Sequence, residues 1–434
     1  MVSWQRLMGL WAVVVCLVVP TSARERAVSN PEALPNLTLK IERSGKADQP
    51  IVIRAAERGK TRLIGSSSLN LSASYVIVDG LTFTDGQPTT TVIACQEDTE
   101  YNRVTNCAIT DYNAGVSRAP MWVSFRGSNH RVDHCAFTGR QDSTGLMRVA
   151  VEDAPRDHRI DHNYFGQFAL TKKNGGETIR IIDTSQPSAS PYVRRSSRTV
   201  VEFNLFEDCH GEGAEIISNK SSDNIYRGNT FRRSIGSLTL RQGQGCLIER
   251  NFFLGEHTKG TMGVRVLGTD HRVAHNYFES LVGKGYPGTR LAAISVEAGF
   301  DGKKERGFRP PVERLVLANN TIVDCTVSMV LGRGIQGAKL GPTDCVVKDN
   351  VAISSHGRLV AIENRPKDIR WNGNVMSGEL NIEEREGIAL EALEIERGAN
   401  GLMHTKKKIQ AGANLEGYRP LTREDVGPFG QLGR

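Results

Sequence analysis

The sequence predicts an all-β protein, a single-stranded parallel β-helix (β-solenoid) with a C-terminal cap segment. Three observations lead there. A short motif recurs along most of the chain: an aliphatic residue, two mostly polar residues, an Asn or small residue, then an apolar residue two further on. The intervals between copies are those of a coil with a fixed strand core and variable loops. The composition, with 44 Gly and 6% aromatic residues in 434, suits one elongated body with polar loops better than several globular domains.

The motif places Cys107, Cys135, Asn163, Asn204, Asn229, Asn251, Asn276, Asn320 and Asn350 at one ladder position, and it fades around Ile369 to Asn372. From Cys107 to Asn372 the steps are 28, 28, 41, 25, 22, 25, 44, 30 and 22 residues. That period is too short for propeller blades and lacks the Leu pattern of leucine-rich repeats. Stacked Asn side chains at a bend hydrogen-bond along the stack, so the row of Asn has a structural cause.

Residues 1–23 read as a secretory signal, with Arg6, an apolar run from Leu7 to Val19, and cleavage after Ala23. The run is too short for a membrane span. A secreted or periplasmic protein is therefore expected. Residues 24–375 form the solenoid and 376–434 the C-terminal coil or cap. Removing Arg6 with the signal takes the formal charge from +7 to +6, which favours a polyanionic partner. With export, an acidic polysaccharide is the expected partner, with no nucleic acid. Seven Cys remain, and buried thiols are expected because so large a core needs no staples. Neither a CxxC nor a Cys/His zinc spacing occurs.

A second strand recurs in each coil, as in Glu177-Thr-Ile-Arg180-Ile181, Glu215-Ile-Ile-Ser218, Leu238-Thr-Leu-Arg241 and Val264-Arg265-Val-Leu267. Polar residues in such aliphatic runs face outward, and in-register stacking sets equivalent residues about 4.8 Å apart from coil to coil. Glu177, Arg180, Glu215, Lys220, Arg241 and Arg265 thus converge on one groove. Glu379 to Lys408, rich in Glu and then Lys, reads as the cap, with some helix and solvated charges.

The stretches Asn174-Gly-Gly-Glu-Thr-Ile-Arg180, Glu215-Ile-Ile-Ser-Asn-Lys220-Ser221, Leu238-Thr-Leu-Arg241 and Gly263-Val-Arg265 make the chain resemble the polysaccharide lyase family of alginate lyases and chondroitinase B, secreted right-handed parallel β-helix lyases. The resemblance runs from about Asn36 to Asn372. It implies β-elimination on a 4-O-linked uronate, with Lys220 as the base that removes the C5 proton and Arg241 stabilising or protonating the leaving oxygen. Arg has so high a pKa that an electrostatic role suits it better. Arg265, one coil further on, is placed to hold a neighbouring uronate carboxylate; Gln242 and Arg180 on the same strip are further expected substrate contacts, as is His271 at a turn beside it, for which a plain turn residue is the alternative. Alginate is the first expected substrate, dermatan or chondroitin sulfate the next, and a non-catalytic glycan-binding adhesin is the rival from another class.

Family members commonly hold Ca²⁺ with an Asn and a Glu-x-Glu pair, and no organic cofactor is implied. Here the pair is Glu212-Gly213-Ala214-Glu215, whose spacing of three points the carboxylates to opposite faces of a regular strand. A bulge at Gly213 would restore them to one side. Glu215, Glu212 and Asn174 are the expected ligands. Gln242 stands where the family often has His, and it hydrogen-bonds sugar without carrying a proton. Oligomeric state is not indicated.

Overall fold

The computed structural model describes residues 16–18, 33–115, 119–151, 156–183, 195–283, 292–300, 309–383 and 385–428. Most of residues 1–23, read above as a secretory signal, lies outside these residues. No α-helix occurs among them. Each coil contributes three short strands, and each strand pairs in parallel with its counterpart one coil on, giving three walls around a continuous apolar core. On the first wall the register runs Ile160, Val201, Tyr226, Ile248, Val273, Leu317 and Val347.

The ladder residues turn the chain from the first wall to the second. Asn163, Asn204, Asn229, Asn251, Asn276, Asn320 and Asn350 each donate a side-chain N–H to the Oδ1 of the next, at 2.9–3.0 Å. All are fully buried. The residue before each adopts positive φ, for example Phe203 (52°), Arg250 (52°) and Asp349 (52°), which bends the chain and points the amide inward. Cys135 and Cys107 continue the row downward, as expected. The last rung is Asn374 rather than Asn372, because Gly373 takes the left-handed bend (φ 63°) and Asn374 the slot behind it. Directly after this row, Phe137, Phe165, Phe206, Phe231, Phe253 and Phe278 stack inside the core with centroids 4.7–5.2 Å apart. The seven Cys from Cys95 to Cys345 are buried free thiols.

The C-terminal segment departs from the expectation. The solenoid continues past residue 375, through strands Asn374–Glu379 and Ile388–Leu390. The expected helix is a two-stranded hairpin, Ile395–Arg397 with Met403–Thr405. From there the chain runs back along the outside of the second wall as a strap. Leu402 packs on Phe252, Tyr277 and Val323, and Val426 packs on Ala136, Tyr164 and Leu205. Backbone N–H groups of Met403, Ala413 and Leu421 donate to Tyr277, Thr321 and Thr230 hydroxyls. Glu- and Lys-rich sequence has helix propensity, but propensity is a weak prior that tertiary packing overrides.

Candidate active site

The third wall carries the charged residues. Its central strands are β1 (Ile179–Asp183), β2 (Glu215–Lys220), β3 (Gly236–Gln242), β4 (Thr261–Val266), β5 (Ile294–Glu297) and β6 (Val327–Arg333). Alternation sends Ile217 and Asn219 inward and Ser218 and Lys220 outward. Asn219 is fully buried and accepts hydrogen bonds from Asn224 and Tyr226, which locks the end of β2. The β2–β3 register is interrupted twice, and at the second break Asn219 pairs with Leu240 while Lys220 pairs with Gln242. Arg241 is the extra residue of that bulge. Lys220 and Arg241 are both partly buried, and neither side chain has an ion pair or hydrogen bond among the described residues.

Beside this pair lie three buried carboxylates. Oxygen atoms of Glu177, Glu212 and Glu215 all fall within 4.8 Å of one another. Glu212 and Glu215 come to one side because Gly213 takes positive φ (80°) in a turn closed by its N–H to His210 carbonyl. A left-handed turn ahead of the strand does this, in place of the bulge expected at Gly213. Gly211 (φ 47°) lies so close to the Gly176 carbonyl that a Cβ there would stand 2.0 Å from it, which brings Glu177 onto the same spot. Glu177 touches Arg180, Glu215 lies 3.2 Å from Arg265, and Glu212 accepts the Gly175 N–H at 2.7 Å. Burial, followed by the charges of Glu177 and Glu215, pushes the Glu212 carboxyl up to about 7. Burial acts the same way on Glu215, but Arg265 and Arg241 outweigh it and hold Glu215 below the usual carboxylate value. Asn174 is exposed on the adjoining loop, and it is the backbone of Gly175 that faces Glu212.

Arg265 is placed differently from the expectation. It is 6% exposed and committed to Glu215 and to Glu297, the latter at 2.7 Å. Glu297 is fully buried and also receives Arg309 and Arg333. Burial disfavours the charge on Arg265, but Glu297 and Glu215 more than compensate and raise its pKa. For Arg309 and Arg333 burial wins, and both are lowered to about 10. Arg265 thus belongs to an internal ion cluster behind the cationic pair, with little surface to offer a sugar. The chain is similar over most of its length to one described family: the profile of Chondroitinase B matches residues 32–419.

The chain belongs to the chondroitinase B family.

Solved structures agree. The PL6 family alginate lyase AlyGC is 30% identical with a TM-score of 0.81, over 91% of this chain and 55% of that one, so this chain spans about half the length of that relative. A mannuronic acid specific polysaccharide family 6 lyase from human gut microbiota is 25% identical, TM-score 0.73, over 84% and 85% of the two chains. A PL6 family polysaccharide lyase from Pseudopedobacter saltans, 23% identical with a TM-score of 0.74 over 92% and 93%, supports the fold. No curated protein sequence matches. The fold is the right-handed parallel β-helix of these lyases.

Within this chondroitinase B family member, His271 is not a surface contact. It is fully buried, accepts the Cys246 N–H on Nδ1 at 3.0 Å and lies 3.0 Å from the Leu267 carbonyl through Nε2. Burial pushes it down to about 4. The same slot in other coils holds Asn102, His130, His158 and Asn224, each accepting a backbone N–H from the coil below. His271 is thus a rung of a second ladder. Arg180 is partly exposed in the outward column that continues through Ser218, Thr239 and Arg265, and it is paired with Glu177. Gln242 is partly exposed opposite Lys220. Spacing placed Glu177 on the groove without reading it as a third carboxylate beside Glu212 and Glu215, and it missed the Glu297, Arg309 and Arg333 cluster. Glu177 sits in the quoted Asn174–Arg180 stretch, so its signal was present, whereas the cluster is assembled from segments with no common motif.

Proposed function

We propose that this chain is a polysaccharide lyase that cleaves a 4-O-linked uronate polymer by β-elimination, with alginate as the first substrate. The observation that carries the reading is the pair of partly buried, unpartnered cations, Lys220 and Arg241, on adjacent rungs of one wall. Elsewhere on that wall the arginines are spent on carboxylates.

Lys220 Nζ takes the proton from C5 of the uronate. The electron pair of that C–H bond becomes the C4=C5 double bond as the C4–O4 bond breaks. Arg241 stabilises the charge that builds on O4, and a water delivers the proton, since a guanidinium is a poor acid. Gln242, opposite Lys220, hydrogen-bonds the sugar.

The carboxylate of the uronate opposes carbanion formation and calls for a cation. Glu177, Glu212 and Glu215 fit Ca²⁺: they are hard oxygen donors, buried and convergent, with Arg180 and Arg265 in ion-pair contact with them. When bound, such an ion supplies the positive charge that neutralises the substrate carboxylate. The apolar run Leu7–Val19 favours a secreted or periplasmic enzyme meeting an acidic polysaccharide.

The test is incubation with alginate, dermatan sulfate and pectate, with and without chelator, following the ultraviolet absorbance of the unsaturated uronate. Alginate is expected to give the largest signal. A dermatan signal alone moves the substrate to iduronate polymers. Binding without any signal leaves a glycan-binding solenoid and sinks the lyase reading.

A further inference from the structure

At the corner between the second and third walls, on the N-terminal side of Glu212, lies a cavity of about 440 Å³ that the proposed chemistry does not use. Three successive coils build it: Asn113 comes from one, Gln141 and Asp142 from the next, and Leu170, Thr171 and Lys173 from the turn leading into β1. Its frame is fixed by hydrogen bonds. Asn113 donates to the Gly139 carbonyl at 2.8 Å and accepts the Gln141 N–H at 3.0 Å, and Thr171 donates to the Gly211 carbonyl at 3.1 Å. Leu170 is 39% exposed and lies 3.0 Å from where a Cβ on Gly213 would stand, so the cavity abuts the turn that carries Glu212. Asp142 is buried, with Oδ1 taken by the Thr144 N–H and Arg140, whereas its Oδ2 has no partner on another residue. Arg140, fully buried against the Trp122 ring, holds Asp142 in place. Gln141 and Lys173 are exposed, and Lys173 has no ion pair among the described residues.

An unsatisfied buried acceptor calls for a donor such as a hydroxyl, and an unpaired ammonium calls for an anion. The Asp142 carboxylate disfavours a bare inorganic anion such as phosphate beside it. A ring that carries hydroxyl donors, one carboxylate and an apolar face for Leu170 satisfies all of these groups, and a hexuronate is such a ring. We infer that the cavity is a distal subsite that holds a uronate residue of the polymer several sugars away from the bond on which Lys220 and Arg241 act. Asp142 and Gln141 take its hydroxyls and Lys173 its carboxylate. The coil of Gln141 lies two coils before that of Lys220, and Lys220 stands at the far end of β2 from Glu215. Roughly 10 Å along the solenoid axis and roughly 16 Å across the wall therefore separate the two places. An oligosaccharide spans that separation and a disaccharide does not. The assignment rests on the proposed lyase reading for its ligand, a uronate polymer, and extends that reading to chain length.

Calorimetric binding of an alginate trisaccharide and an alginate octasaccharide to the full-length Lys220→Ala protein tests it. The octasaccharide is expected to bind at least about tenfold more tightly, as one charge-assisted and one or two neutral hydrogen bonds would give. Added to that protein, Lys173→Ala is expected to weaken octasaccharide binding about fivefold or more and Gln141→Ala about threefold, with the trisaccharide moved less than about twofold. Asp142→Asn should also weaken the octasaccharide selectively, and if thermal melting shows that it does not fold, Lys173→Ala and Gln141→Ala decide. An octasaccharide that binds no tighter than the trisaccharide, or not at all, overturns the subsite. So does a Lys173→Ala loss that is equal on both lengths, which a general charge effect or a structural defect would produce. A native chain that opens alginate while showing no length advantage keeps the lyase reading and loses this subsite. One that opens no uronate polymer yet keeps the Lys173-dependent length advantage does the reverse.

Discussion

Lys220 faces Gln242 across the β2–β3 pairing, and the bulge leaves Arg241 over as the residue without a cross-strand partner. Sequence spacing alone would set Lys220 and Arg241 one above the other. The bulge instead gives Lys220 a neutral neighbour and re-aims Arg241, as bulges do beside functional sites.

If the two cations divide the work as proposed, Lys220→Ala lowers kcat on alginate by about a thousandfold with KM changed little, because proton abstraction belongs to the transition state. Arg241→Lys keeps the charge but loses the planar fork, and a drop of about tenfold to a hundredfold in kcat is expected. Initial rates from the ultraviolet absorbance, with circular dichroism to confirm folding, check both.

Gln242 is a hydrogen-bonding residue in this reading. Gln242→Ala then raises KM about five- to tenfold, equivalent to one lost hydrogen bond, and leaves kcat within about threefold. An equal collapse of kcat would give Gln242 a part in the chemistry.

His271 is a structural rung. His271→Ala removes the acceptor for the Cys246 N–H and is expected to cost about 1–3 kcal/mol of stability, while KM stays unchanged. His271→Asn restores most of the loss, since Asn102 and Asn224 do the same job in other coils. Urea unfolding of the three proteins, with KM for alginate, separates this from a substrate contact.

On the first wall, Arg103 grips Asp133 and Arg131 grips Asp161, each through two hydrogen bonds of 2.6–2.8 Å. Burial alone would raise both carboxyls. Bonds from Arg103 and His134 on Asp133, and from His162 and Arg131 on Asp161, outweigh it and hold both below the usual value. Because the folded values lie below the unfolded ones, this stability is fully present above about pH 4 and is lost as pH falls through the folded values. Thermal melting between about pH 2 and 6 should show a steep acid limb that Asp133→Asn flattens.

Truncation before the hairpin at Ile395 bares Phe252, Tyr277 and Leu205 along the second wall, and aggregation on refolding is expected. The milder Leu402→Ala leaves the strap in place and costs about 2–4 kcal/mol, as other buried Leu→Ala changes do. Light scattering and urea unfolding measure the two.

The Asn row and the wall bearing Lys220 were legible because each repeats one residue type or pattern at coil period. The His271 ladder was not, because Asn and His fill the same slot and share only an acceptor atom. Arg265 was misjudged for another reason: alternation points it outward, but Glu297, Arg309 and Arg333, between 32 and 68 residues later, roof it over. The Asp133 and Asp161 pairs have a signal in Arg131-Val-Asp133 and Arg159-Ile-Asp161 that only becomes readable once the register is known. Glu177 shows the limit most plainly, since only the left-handed turns at Gly211 and Gly213 reveal that it meets Glu212.

The strap has a consequence for the order of events in folding. Residues 402–427 follow in sequence every coil they seal, from the one containing Ala136 to the one containing Val323. During synthesis from one end, those coils emerge with an adhesive stripe along their flank, and no other described segment covers it until the tail arrives. A chaperone that shields this stripe in the interval would meet Phe252 and Tyr277 only in unfinished copies, so the strap also tells a completed molecule from an incomplete one.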